Sequence, residues 1–375
     1  MRKTIIVVGG GILGASTAYQ LSKRDVDVIV IDRQHDGQAT DAAAGIICPW
    51  LSQRRNQTWY RLASGGARFY PGLINELAEQ HGEHNTGYAR VGALSLHRDH
   101  DKILGMQKRA LQRLEAAPEI GEITLLREDQ VREQFPLLDK GYEAVHVSGA
   151  ARIDGRLLRD ALLRAATHNG AILLHSEAEL QHNGQCITGV QVAGQFHPAD
   201  EVVVCAGAWA AELLERIGIP FHMHYQKAQI MHVQLESEDD TGSWPVVMPP
   251  TDQYVLAFEQ QRIVIGATHE NDVPGYDTRV TPGGMQEVLN KGLELAPALV
   301  DSTFMEMRVG FRPFTADFLP VFGAMPDWKG LFIANGLGAS GLTMGPYIGY
   351  LLAQLVLGEQ PELPVEDYTV AKALV

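Results

Sequence analysis

The chain has 375 residues, enough for two domains or one large one. Its 31 Lys and Arg against 45 Asp and Glu leave a net charge of −14, which argues against a nucleic-acid or anionic-lipid surface while leaving room for a local basic pocket. Cys48, Cys186 and Cys205 form no Cys-x-x-Cys pair, so neither a zinc knuckle nor a dithiol centre is expected. No apolar run is long enough for a transmembrane helix.

Residues 4–8 form a short β-branched run that reads as a buried strand, following directly on Met1-Arg2-Lys3 with no secretory signal pattern. With few, scattered thiols, this makes a cytoplasmic protein the expectation. A glycine cluster, a helical pattern over 12–23 and a second buried strand at 28–31 complete a βαβ opening. Helices are expected over 58–80, 101–116 and 128–135, with a strand at 92–96. A second βαβ-like element is expected from Arg152, with a helix over 157–169 stopped by Gly170 and a strand at 171–175. Residues 177–192 read as a hairpin around Asn183-Gly184, and 201–205 as another buried strand. The alternating stretch 221–268 predicts an antiparallel sheet. A helix over 282–295, a strand at 331–334 and a helix over 342–357 follow.

Gly9-Gly10-Gly11-Ile12-Leu13-Gly14 fits Gly-x-Gly-x-x-Gly between a strand and a helix. In such a loop Gly9 permits the tight turn, Gly11 lets backbone approach a pyrophosphate, and Gly14 lets helix and strand pack closely. The helix N-terminus then offers unpaired N–H groups to the phosphates. Asp32, at the end of the second strand, is placed to accept hydrogen bonds from ribose hydroxyls and disfavours a 2′-phosphate. Arg33 could act the other way or stack on adenine. These residues specify a dinucleotide without choosing between NAD and FAD.

The chain resembles the FAD-dependent amine and amino-acid oxidoreductases that include D-amino-acid oxidase, glycine oxidase and sarcosine oxidase. The likeness covers nearly the whole length. It is carried by the glycine loop with Asp32-Arg33, by Ala39-Thr40-Asp41-Ala42-Ala43-Ala44-Gly45-Ile46-Ile47, by Val202-Val203-Val204-Cys205-Ala206-Gly207-Ala208-Trp209, by Gly310-Phe311-Arg312-Pro313-Phe314-Thr315-Ala316-Asp317, and by Gly336-Leu337-Gly338-Ala339-Ser340-Gly341-Leu342-Thr343-Met344.

The resemblance implies an α/β (α+β) fold: a Rossmann-like FAD-binding domain (1–85, 147–216 and 307–375) and a discontinuous substrate domain on a mainly antiparallel sheet (86–146 and 217–306). It implies a cofactor site of Gly9, Gly11, Ile12, Leu13, Gly14, Asp32 and Arg33, then Thr40, Ala43, Ala44, Gly45 and Ile46. Ala206, Gly207, Trp209, Gly310 and Arg312 continue it, and Gly338, Ala339, Ser340, Gly341, Leu342 and Thr343 complete it. Arg312 would hold a substrate carboxylate, since a planar guanidinium binds one bidentately, and Tyr254 would donate to the same group. No acid–base residue is required if the amine binds neutral.

Two positions depart from the family pattern. Leu337 stands where a histidine is frequent, and Lys227-Ala228-Gln229 where a basic residue precedes Gly-Gln. No cysteine follows Cys205, so a cysteine tether near Arg312 is excluded and FAD is expected to be non-covalent.

The implied reaction is oxidation of the C–N bond of a small or N-substituted amino acid by hydride transfer to flavin N5, giving an imine and then a carbonyl product. The alternative is a dehydrogenase subunit passing electrons to a quinone or partner protein. Expected partners are an amine or amino-acid substrate and no nucleic acid, with a homo-oligomer or an electron-accepting partner left open. His222-Met223-His224 puts two histidines on one strand face, but with no third ligand nearby no metal is expected.

Overall fold

The computed structural model describes residues 2–374. The β-branched runs seen in the sequence form one six-stranded sheet in the order Val321–Ala324, Leu331–Asn335, Glu201–Val204, Lys3–Val8, Val26–Ile31, Ile172–Leu174. All its pairs are parallel except the first, where Val321 lies opposite Asn335 and the strand closes the edge antiparallel. A parallel strand is buried on both faces, which is why these runs read as continuous apolar segments.

Helices Ile12–Ser22, Gly155–His168 and Gly341–Val356 pack together over one face. Helix Gly341–Val356 is apolar nearly all round and buried, as its composition demands. Its backbone comes close to the first helix at Gly349, where a Cβ would lie 2.6 Å from that of Ser16.

An eight-stranded sheet forms the second layer, in the order Thr303–Thr315, Met223–Gln234, Arg262–Gly266, Tyr254–Ala257, Val246–Met248, Ala93–His97, Glu143–Val147, Ile123–Leu126. Only Val246–Met248 and Ala93–His97 pair in parallel. One face, with Ala228, Ile230, Leu256 and Val264, joins the apolar core that also contains Ile5 and Val7 of the first sheet. The opposite face, with Met231, Val255, Ile263 and Ile265, is covered by Val288 and Leu295 of helix Pro282–Leu295. No described helix is long and apolar enough to cross a membrane.

Two features depart from the sequence reading. Thr303–Thr315 is one long strand that pairs with Met223–Gln234 along its length, so residues 307–315, grouped above with the nucleotide-binding unit, are hydrogen-bonded into the antiparallel sheet. Gly310 and Pro313 hide it in the sequence because both are depleted in strands, and the strand tolerates them at a sheet edge. Second, Ala151–Arg152 does not open a parallel βαβ unit. It pairs antiparallel with Ile46–Ile47, while helix Gly155–His168 leads into Ile172–Leu174 of the parallel sheet.

Arg152 and Asp154 tie this short ribbon to the second sheet. The Arg152 side chain is fully buried. Its guanidinium donates to the carbonyls of Gly87 and Gly242 (both 3.0 Å) and to Glu259 Oε1 (2.7 Å). Arg262 donates to Asp154 Oδ2 (2.8 Å), and Asp154 Oδ1 caps helix Gly155–His168 at the N–H groups of Arg156 and Leu157. Both guanidinium groups lie over the Phe258 ring, 4.6 and 4.0 Å from its centre. His232 is buried beside Arg262 and Arg308. Burial first, then these two cations, push its pKa down to about 3, against the opposing pull of Glu306 and Asp154.

Two outcomes follow for stability. Arg152→Met removes a buried cation and leaves two partly buried carbonyls without their donor, and should cost about 3 kcal/mol in denaturant unfolding. Glu259→Gln, at a side chain 65% exposed, should cost less than about 1 kcal/mol. Because His232 titrates near 6.5 when unfolded and near 3 when folded, the unfolded chain takes up its proton first. Its contribution is therefore complete above about pH 6.5 and is lost as the pH falls towards 3. A His232→Leu variant should show a shallower loss of unfolding free energy across that window. An unchanged slope would contradict the assignment.

Candidate active site

The glycine loop closes as its spacing requires. Gly9 has φ +104°, and a Cβ there would strike the carbonyl of Cys205. A Cβ on Gly14 would fall on the carbonyl oxygen of Gly9, so the helix can start this close to the strand only without a side chain. Gly9 N–H donates to Ile31 O (2.8 Å) and Cys205 N–H to Val8 O (2.7 Å), stitching the turn to the strands on both sides. Gly11 is the helix N-cap and has no side chain to offer; the Thr40 hydroxyl accepts from Ile12 N–H (2.9 Å) instead. The Asp32 carboxylate is oriented by the N–H groups of Gly10 and Gln34 and by Gln38 Nε2 (3.0 Å).

Above this turn lies a cleft of about 1110 Å³, the open solvent at its mouth included. Of the residues foreseen from sequence, Gly9, Gly11, Ile12, Leu13, Asp32, Arg33, Thr40, Ala206, Gly207, Trp209, Gly338 and Gly341 line it. The fit to an extended dinucleotide rests on a helix start without a side chain at Gly11, an oriented carboxylate at Asp32, and a largely apolar wall.

Around Trp209 the structure adds what the sequence did not show. The Arg33 guanidinium lies 5.5 Å from the indole centre, and the His35 ring meets it edge-on at 3.7 Å. Both ring nitrogens of His35 are buried and, among the described residues, have no hydrogen-bond partner. Burial, then the Arg33 charge, brings its pKa down to about 4. Gln38, Glu177, Phe311 and Pro313 also line the cleft.

The other foreseen residues lie outside that lining. Gly14 is inside the turn. Gly45 has φ +91°, and a Cβ on it would strike the Ile153 carbonyl. Ile46 pairs with Arg152. Thr343 Oγ1 donates to Ile46 O (2.9 Å), and Leu342 O accepts from the Tyr70 hydroxyl. Ala43 and Ala44 pack on the main core, and Ala339 and Ser340 form the short turn before helix Gly341–Val356. Gly310 lies against the 38–42 segment; a Cβ there would be 2.8 Å from that of Ala42.

Arg312 sits between Phe311 and Pro313, and alternation along the strand turns it to the opposite face from those two cleft residues. It pairs across the sheet with Gln226 and donates to its Oε1 (3.0 Å), while Gln226 Nε2 donates to Asn271 Oδ1 (2.8 Å). Among the described residues no carboxylate forms an ion pair with Arg312. Tyr254 reaches across Gly266, where a Cβ would lie 2.5 Å from its hydroxyl. Burial pushes that phenol up in pKa, and the neighbouring Arg312 charge opposes the shift.

His269 is a second neighbour of Arg312, whose charge, after burial, lowers its pKa. Gln226, His269 and Asn271 carry no local sequence signal, because strand register brings them to Arg312. Cys48 is buried and its thiol is pushed up to about 12, so it is inert.

A family model described as FAD dependent oxidoreductase matches residues 4–355. The chain is 58% identical over 372 residues to an uncharacterized oxidoreductase of Bacillus subtilis (strain 168), YurR, covering 99% of this chain and all of that one. The structure of iminodiacetate oxidase from Chelativorans sp. BNC1 superposes with TM-score 0.93 at 44% identity, covering 97% of this chain and 98% of that one. Glycine oxidase from Geobacillus kaustophilus superposes with TM-score 0.86 at 26% identity, covering 98% of each chain.

The two inner glycines should separate folding from cofactor binding. A Cβ on Gly11 meets only the Thr40 hydroxyl, at 3.3 Å. Gly11→Ala should therefore fold with a nearly unchanged melting temperature but bind FAD about 100-fold more weakly, as expected from losing one or two charge-assisted hydrogen bonds. Gly14→Ala should lower the melting temperature itself. Thermal unfolding of the apoprotein and titration with FAD check both.

Proposed function

The chain belongs to the family of FAD-dependent oxidoreductases, and on that premise we propose that it oxidises the C–N bond of a small or N-substituted amino acid whose carboxylate is held by Arg312. The observation that carries this is the environment of Arg312. It faces inward from the sheet with an amide as its hydrogen-bond partner and a phenol beside it, and among the described residues no carboxylate forms an ion pair with it. A guanidinium in that state is ready to donate two hydrogen bonds to a carboxylate. The 44% identity to iminodiacetate oxidase over nearly the whole of both chains favours amino acids substituted on nitrogen.

In this reading Gly9, Gly11 and the start of helix Ile12–Ser22 hold the FAD pyrophosphate, and Asp32 holds the ribose. Trp209, Arg33 and His35 enclose the adenine end. Gly338 and Gly341 line the cleft at the start of helix Gly341–Val356, whose free N–H groups would favour negative charge on a bound flavin. FAD, when bound, supplies the two-electron acceptor that takes a hydride from the carbon beside nitrogen, leaving an imine that water hydrolyses to a carbonyl compound and an amine. Arg312 and Tyr254 fix the substrate carboxylate and so the position of that carbon. Non-covalent attachment of FAD agrees with the absence of cysteine beyond Cys205.

Anaerobic bleaching of the flavin by a panel of amines and amino acids tests the assignment. Arg312→Leu should raise the half-saturating concentration of carboxylated substrates by about 100-fold. An unchanged value would remove Arg312 from the site. Admitting air to the reduced enzyme then tells oxygen from a quinone or protein acceptor.

A further inference from the structure

Residues 271–281 leave the eight-stranded sheet after Lys227 and Glu270 pair, and run as an open loop to helix Pro282–Leu295. Much of the loop is exposed, but the Tyr276 ring is packed. It stacks on Tyr225 with 4.9 Å between ring centres, lies 5.0 Å from Trp209 and meets Phe311 edge-on at 5.7 Å. Its hydroxyl donates to Ala208 O (3.2 Å), one residue before Trp209. Burial first, then Glu212, pushes the phenol up in pKa, so it remains a neutral donor. The loop itself is tied down on strand Met223–Gln234. Tyr225 Oη donates to Gly275 O (2.7 Å), and buried Lys227 donates to Arg279 O (2.8 Å) with Asp277 3.6 Å away.

Trp209 and Phe311 line the cleft, and Tyr276 touches both without belonging to the lining. Trp209 ends the short turn Gly207–Trp209, beyond strand Glu201–Val204, so no strand register fixes its indole. We propose that Tyr276 is a positioning residue for the cofactor, holding Trp209 and Phe311 as the wall on which the adenine of FAD packs. This rests on the reading that the adenine lies against Trp209. A loop of the eight-stranded sheet thereby sets affinity in a cleft whose glycine turn belongs to the other sheet. A flat base binds more tightly to a wall already in place, because no side chain is left to be immobilised on binding. The Tyr276 ring makes the contacts with both wall residues, so the ring and not the hydroxyl is the part required.

Titration of the apoprotein with FAD and with ADP, which carries adenosine and pyrophosphate but no flavin, tests this. Trp209→Ala should weaken both by at least about tenfold. Tyr276→Ala should weaken both by about tenfold, the worth of two aromatic contacts, with the melting temperature of the apoprotein unchanged. Tyr276→Phe should bind both within about twofold of the wild type. Equal affinity for ADP in Tyr276→Ala and the wild type overturns the proposal. So does a loss that Tyr276→Phe shares in full, or one that comes with a lower melting temperature of the apoprotein. If Trp209→Ala binds ADP as the wild type does, the placement of the adenine fails instead.

Discussion

A strand can present successive side chains only to opposite faces of its sheet, and Thr303–Thr315 uses both. Phe311 and Pro313 wall the nucleotide cleft, while Gly310 and Arg312 face the other way, Gly310 against Ala42 and Arg312 beside Gln226 and Tyr254. One strand thus fixes the distance between the nucleotide cleft and Arg312, the proposed carboxylate anchor. The long pairing with Met223–Gln234 keeps that register, because a slip of one residue would exchange the two faces.

The glycines of the site act by absence. At Gly9 and Gly14 the missing Cβ lets strand, turn and helix occupy the same few ångströms. At Gly310 it lets the antiparallel sheet settle on the small-residue segment, and at Gly266 it leaves room for the Tyr254 ring. In each case the atom that a side chain would meet belongs to a part of the chain distant in sequence or in another element. Close approach, more than backbone freedom, explains Gly14, Gly266 and Gly310, whereas Gly9 and Gly45 also need positive φ.

Buried charge is concentrated where the two sheets meet. Buried Arg152 bonds the carbonyls of Gly87 and Gly242 and the more exposed Glu259, and Arg262 bonds Asp154, around the Phe258 ring. Lys227 is buried on the far face with the Arg279 carbonyl and, within 4.0 Å, Asp277 and Glu270. Such networks add little net stability compared with an apolar core, but they penalise any other arrangement strongly. Arg312 differs from them in having no acidic partner among the described residues, and that is what singles it out for the proposed binding role.

Much of this could be read from the sequence. The strand–glycine–helix opening, Asp32, the last helix with its glycine turn, and the stretch 221–268 are local patterns, because hydrophobic period and turn chemistry act over a few residues. The long strand that carries Arg312 was not legible as a strand, since Gly310 and Pro313 argue against one until a sheet edge accepts them. Nor could Gln226, His269 and Asn271 be found beside Arg312, or His35 against Trp209, because pairing register and the crossing of distant segments bring them there. The sequence by itself determined the dinucleotide turn and the two kinds of sheet, through rules that need only neighbouring residues. Only the tertiary structure decided which side chains neighbour Arg312, because that depends on which strands pair and in what register.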